Sequence, residues 1–139
     1  MRDAAKLAAI GLIAGTVLIV VLKLVELLTG NPAYVLLFNF DYIPVVNRWR
    51  PVWLIGLLFH YGICVFSAII LFYFLRPFGR EHWISPYVAV YTIGSALLFS
   101  LTALSDQPPE FSDGVAWVYW TLAHAVFGWV VGWLIRKWV

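Results

Sequence analysis

Four long apolar stretches, divided by short polar punctuation, make up nearly the whole chain. They cover residues 4–28, 51–75, 86–105 and 115–138. About 20 mostly apolar residues cross the hydrocarbon of a bilayer as a helix, so each stretch predicts one transmembrane helix. Together they predict an all-α membrane protein, a four-helix antiparallel bundle forming one transmembrane domain over residues 1–139. The punctuation agrees: Pro51 and Pro86 suit first helical positions, Ser85 can cap the helix ahead of Pro86, and Ser112 or Asp113 can cap the fourth. The segment between the first two stretches, GNPAYVLLFNFDYIPVVNRWR, is too apolar for a plain solvated loop and too short in its apolar core to span. Irregular backbone facing lipid leaves polar groups unpaired. A short interfacial or re-entrant helix starting near Asn31-Pro32 is therefore expected, placed as a lid over the outer mouth of the bundle.

Composition sharpens the assignment. The chain is 63% hydrophobic and 12% charged, against roughly half and about a quarter for soluble domains, and the four stretches leave no room for a soluble domain. Arg2 and Lys6 ahead of an apolar run resemble a secretory signal, but the run is longer than an ordinary signal core and lacks a small-residue cleavage pattern. It is read as the first transmembrane helix. The single Cys64 excludes an intramolecular disulfide and any CxxC motif.

Charge then sets orientation. Arg2, Lys6, Arg76, Arg80, Arg136 and Lys137 gather on one side, Arg48 and Arg50 on the other, and the third loop, SDQPPEFSDG, carries Asp106, Glu110 and Asp113 with no basic residue. The positive-inside rule places both termini in the cytoplasm. A net charge of +2 distributed over helix ends calls for no nucleic-acid partner. Tryptophans fall at expected belt positions, Trp49, Trp53, Trp117 and Trp120 outside and Trp83, Trp133 and Trp138 inside. Trp129 lies deeper, without an evident role.

Helices in lipid pack through small residues. Gly11/Gly15 in the first helix and Gly128/Gly132 in the fourth have the GxxxG spacing, which serves packing within the chain, a homo-oligomer or a membrane-protein partner. At 100° per residue, Gly56, His60, Cys64 and Ser67 share an arc of about 80°, and Trp117, Thr121, His124, Gly128 and Gly132 another of about 80°. Both histidines thus lie on packing faces. Each stands nine residues past its helix start, about 13 Å below the outer surface at 1.5 Å per residue.

Ionisable groups inside a membrane span mark functional candidates, and histidine ordinarily changes charge near neutral pH. The candidates for handling protons are His60, His124, Glu26 and Lys23. The plainer alternatives are that each histidine bonds a neighbouring helix as structural glue and that Lys23 and Glu26, one turn apart near the outer interface, form a local pair. Asp106, Glu110 and Asp113 form either an ordinary solvated loop or a collector of cations at the outer mouth. The sequence contains no phosphate-binding loop, HExxH or nucleophile elbow, and no catalytic nucleophile stands beside either histidine. No enzyme and no metal site are expected.

GLIAG at Gly11 to Gly15 with Lys23 and Glu26 following, HYG at His60 to Gly62, DQP at Asp106 to Pro108, and His124 with a basic pair about three turns on together resemble the YagU-like family of small bacterial inner-membrane proteins. The similarity runs in this order over nearly the whole chain. It implies a polytopic inner-membrane protein associated with survival of acid stress, with Glu26 at the family's glutamate and His60 and His124 at its two helix histidines. The expectation is an outer-half histidine and glutamate cluster that binds or senses protons, with no cofactor. Two alternatives stay open: a non-catalytic accessory or scaffold subunit docking through its glycine stripes, and a b-type haem held between His60 and His124.

Overall fold

Four helices long and apolar enough to span a membrane form the protein, as seen in a computed structural model that describes residues 2–40, 43, 48 and 52–139. Trp49, Arg50 and Pro51, to which the sequence assigns a belt position, a topology charge and a helix start, lie outside the described residues.

Helix α1 (Arg2–Thr29) contains no proline and stops where Gly30 takes a positive φ of 72°. The Gly30 amide donates to Glu26 O at 2.8 Å, the left-handed cap that glycine makes without strain. Asn31 then accepts the Ala33 amide through its side chain at 3.0 Å and opens a short 3-10 helix, Pro32–Leu37, at the point where the sequence predicts the interfacial helix. Helix α2 (Val52–Leu75) runs into a 3-10 turn, Arg76–Phe78, closed by Gly79 at φ 64°.

Helix α3 (Ile84–Leu98) differs from expectation at both ends. It starts at Ile84 with Trp83 as its cap residue, so Ser85 is already helical and does not cap. Pro86 needs no earlier start, because the amides of the first helical turn have no partner within the helix. At its other end α3 continues as a 3-10 helix, Phe99–Leu104. Ser95, Ser100 and Thr102 each donate a hydroxyl to the carbonyl three residues back, at 3.0, 2.7 and 2.8 Å. Such local bonds compete with regular α winding. The change also supplies length: the α-helical part reaches about 22 Å and the 3-10 part adds about 12 Å, enough together for the roughly 30 Å of hydrocarbon.

Helix α4 (Gly114–Trp138) is capped by Asp113, whose Oδ1 accepts the Ala116 amide at 2.8 Å, which decides between the two caps the sequence allows. Asp113→Ala is expected to lower stability by about 1 kcal/mol, measured by unfolding in mixed micelles, while Ser112→Ala leaves it unchanged.

Packing follows the glycines. α1 lies on α2, α4 lies on α3, and α1 and α4 share the middle contact. A Cβ at Gly11 would stand 2.7 Å from Val65 Cα, and one at Gly128 would stand 2.7 Å from Tyr87 O, so both stripes bring backbones together inside the chain. The fourth edge of the square, between α2 and α3, is loosely joined. Lys6 donates to the Trp138 carbonyl at the end of the bundle that holds the Arg76–Phe78 turn, called here the turn end; the Pro32–Leu37 helix covers the opposite, lid end. Trp129 stacks on Trp133 with centroids 6.2 Å apart on the exposed face of α4. Trp120, expected in a belt, is instead buried, its indole N–H donating to Ser95 O of α3 at 3.0 Å.

Candidate functional site

The loose edge between α2 and α3 borders a half-open cavity of about 480 Å³, walled by α2, α3 and α4, with Leu18 of α1 behind it and Leu36, Leu37 and Asn39 over its mouth. His60 and His124 both line it. The shared depth and inward faces expected from the sequence therefore bring the two rings to one space.

Each ring is fixed by a backbone carbonyl. His60 Nε2 lies 3.1 Å from Gly15 O, and His124 Nδ1 lies 2.8 Å from Trp120 O. A carbonyl only accepts, so in the neutral rings the proton of His60 is on Nε2 and that of His124 on Nδ1. Gly15 makes the first bond reachable: a Cβ there would meet Cys64 Sγ at 3.0 Å, so the stripe that packs α1 on α2 also delivers the carbonyl. Aromatic rings hold the imidazoles in place, Phe38 and Tyr61 around His60 at 6.0 and 5.2 Å and Trp120 against His124 at 4.3 Å. The remaining nitrogens, His60 Nδ1 and His124 Nε2, have no hydrogen-bond partner among the described residues. Both imidazoles line the cavity.

Polar contacts join lining residues toward both ends of the cavity. Toward the turn end Tyr91 Oη donates to Ser67 Oγ at 3.2 Å, joining α3 to α2, and the Tyr91 ring meets Phe127 edge-on at 4.7 Å. At the mouth Asn39 Nδ2 donates to Ser105 Oγ at 2.7 Å.

Lys23 and Glu26 are elsewhere. They pair with each other on α1, and the Lys23 ammonium stands 4.7 Å above the Tyr34 ring, which ties the lid helix to α1. Neither lines the cavity, so the structure leaves Glu26 out of the histidine pair. The acidic loop does not converge either: Asp106 is exposed, Glu110 accepts the Ser112 hydroxyl at 3.3 Å, and Asp113 serves as the helix cap.

Tyr91, Ser95 and Thr102 are cavity residues that the reading of the sequence passed over. Their spacing of four and seven was the available signal, since it keeps polar groups on one helical face. No family model, curated protein or solved structure matches the chain.

No group of three or more possible metal ligands occurs among the described residues. A haem fits the wall poorly. His60 has its Nε2 engaged and offers only Nδ1, the nitrogen beside its own Cβ, and no cation among the described lining residues could meet the propionates.

Proposed function

We propose that this chain is a YagU-like bacterial inner-membrane protein, with both termini cytoplasmic, in which His60 and His124 bind protons and act in resistance to acid. One observation carries the reading: each imidazole has its N–H committed to a carbonyl and its other nitrogen without a partner among the described residues, and both rings line one cavity. A bare nitrogen is where a proton adds. The arrangement is also poised to respond. Around the pair, α1 contributes the Gly15 carbonyl, α2 contributes Cys64 and Tyr61, α3 contributes Tyr91, and the lid contributes Phe38 and Asn39. None of these is a carboxylate, so among the described residues nothing neutralises two imidazolium charges.

Two like charges in an apolar wall repel and draw in water. The loose α2–α3 edge is the place where the bundle yields. Orientation follows the basic residues Arg76, Arg80, Arg136 and Lys137, all exposed near the turn end. Both glycine stripes, through which the scaffold alternative would dock, are occupied within the chain.

Replacing both histidines with glutamine keeps size and polarity but removes the titration. Cells carrying His60→Gln/His124→Gln are expected to survive acid no better than cells lacking the protein, with a matching fall in cytoplasmic pH. Survival equal to wild type at equal protein level overturns the proposal.

A further inference from the structure

The cavity has a hydrogen-bonding character that protons alone do not use. Its side-chain hydroxyl and ring donors are engaged, apart from the weak thiol of Cys64 and, at the mouth, the hydroxyl of Ser105, which accepts from Asn39 and from the Gln107 amide. Tyr91 gives its hydroxyl to Ser67, Ser67 to Cys64 O, Ser95 to Thr92 O and Thr102 to Phe99 O. The ring N–H groups are likewise taken, Trp120 by Ser95 O and the histidines by Gly15 O and Trp120 O. The two lining imidazoles each leave one acceptor without a partner among the described residues, His60 Nδ1 and His124 Nε2. An acceptor left without a donor in an apolar wall is best met by a donor, so the complementary ligand brings an O–H or N–H. A ketone, ether or carboxylate, which only accepts, would face acceptors.

Three further observations narrow the class. No charged side chain among the described residues lines the space, so the ligand is neutral. Phe59, Tyr91, Trp120 and Phe127 stand around it, which favours an aromatic head. Ile63 of α2 and Val90 and Leu98 of α3 line the cavity and are also 51%, 48% and 58% exposed, so the wall continues out to the lipid-facing surface along the loosely joined edge. The entrance is therefore lateral.

We propose that the cavity takes a neutral apolar molecule with a phenolic hydroxyl from the bilayer, entering between α2 and α3 and donating that hydroxyl to His60 Nδ1 or His124 Nε2. The proposal uses the same two nitrogens as the proton reading but does not rest on their protonation, since it applies while both rings are neutral.

The test compares para-octylphenol with para-octylanisole, which has the same body but no O–H. Full-length protein in lipid nanodiscs is equilibrated with each probe at about pH 8, where an ordinary histidine is neutral. Retained probe is counted against empty nanodiscs. The phenol is expected to bind near one per chain and at least about tenfold tighter than the ether, as befits one buried hydrogen bond. His60→Phe/His124→Phe should abolish that preference. If this double variant does not fold, Gly94→Phe serves instead: Gly94 lines the cavity, and a Cβ there meets nothing within 4 Å. It fills the space while keeping both imidazoles, and should lose phenol binding. Equal binding of phenol and ether, no binding above empty nanodiscs, or undiminished phenol binding by Gly94→Phe overturns the proposal. Each of those results leaves the acid-survival outcome of the glutamine variants to decide the proton reading separately.

Discussion

A leucine at position 128 is expected to remove most of the folded protein. A Cβ at Gly128 stands 2.7 Å from Tyr87 O, 2.9 Å from Val88 Cα and 3.0 Å from Tyr87 C. Ordinary carbon contacts lie near 3.5–4.0 Å, and these neighbours are backbone, so no side chain can swing aside. α3 would have to retreat as a body. Tyr87 is fully buried and anchored by its hydroxyl on Glu81 O at 2.7 Å, which resists that movement. Overpacking ordinarily costs about 1–3 kcal/mol; with backbone opposite and no hydrophobic force to re-seat helices in lipid, about 3 kcal/mol or more is expected. Gly94→Leu on α3 is the matched control, because it meets open space. Unfolding in mixed micelles should shift strongly for Gly128→Leu and little for Gly94→Leu. Equal midpoints would mean that the Gly128 stripe does not hold α4 on α3.

That stripe was legible in the sequence, and so were the spans, for the same reason: bilayer thickness and close backbone approach leave residue-level marks, apolar length in one case and glycine spacing in the other. The histidine pair was legible too, because helical period and rise convert positions 60 and 124 into a face and a depth. Neighbour relations were not. Periodicity says that a residue points inward but not which helix it meets, so Trp120 looked like a belt residue although Ser95 O of α3 receives its indole N–H. Glu26 looked able to reach the histidines, while Lys23, one turn away, takes it in a local pair. The loose α2–α3 edge, which creates the cavity, is written in no single segment. It results from α1 and α4 using their glycine stripes on α2 and α3, leaving the last pair without one. The 3-10 finish of α3 was hidden for a different reason. It depends on Ser95, Ser100 and Thr102 bonding their own backbone, and the same residue types are compatible with a plain helix.

Gly56→Val is expected to lift the lid and expose the interior of the cavity. A Cβ at Gly56 falls 2.6 Å from Phe38 O and 2.9 Å from Phe38 Cβ, so the segment after the Pro32–Leu37 helix rests on α2 through this glycine. Phe38 also packs its ring on His60, and the next residue, Asn39, reaches Ser105 across the mouth. Moving Phe38 therefore pulls on both. The Lys23 ammonium over Tyr34 holds the near end of the lid on α1, which makes rotation of the Phe38 end the easier response. Cys64 reports the outcome: it is the chain's single cysteine, is buried, and lines the cavity. An overpacking penalty of about 1–3 kcal/mol shifts a closed lid toward open by roughly five- to 150-fold, and the rate of Cys64 labelling by a water-soluble maleimide should rise by about as much. Gly62→Val, on the same helix with nothing within 4 Å of its Cβ, should label like wild type. If Gly56→Val labels no faster, the lid is not the barrier over the histidines, and water and protons reach them by the α2–α3 edge instead.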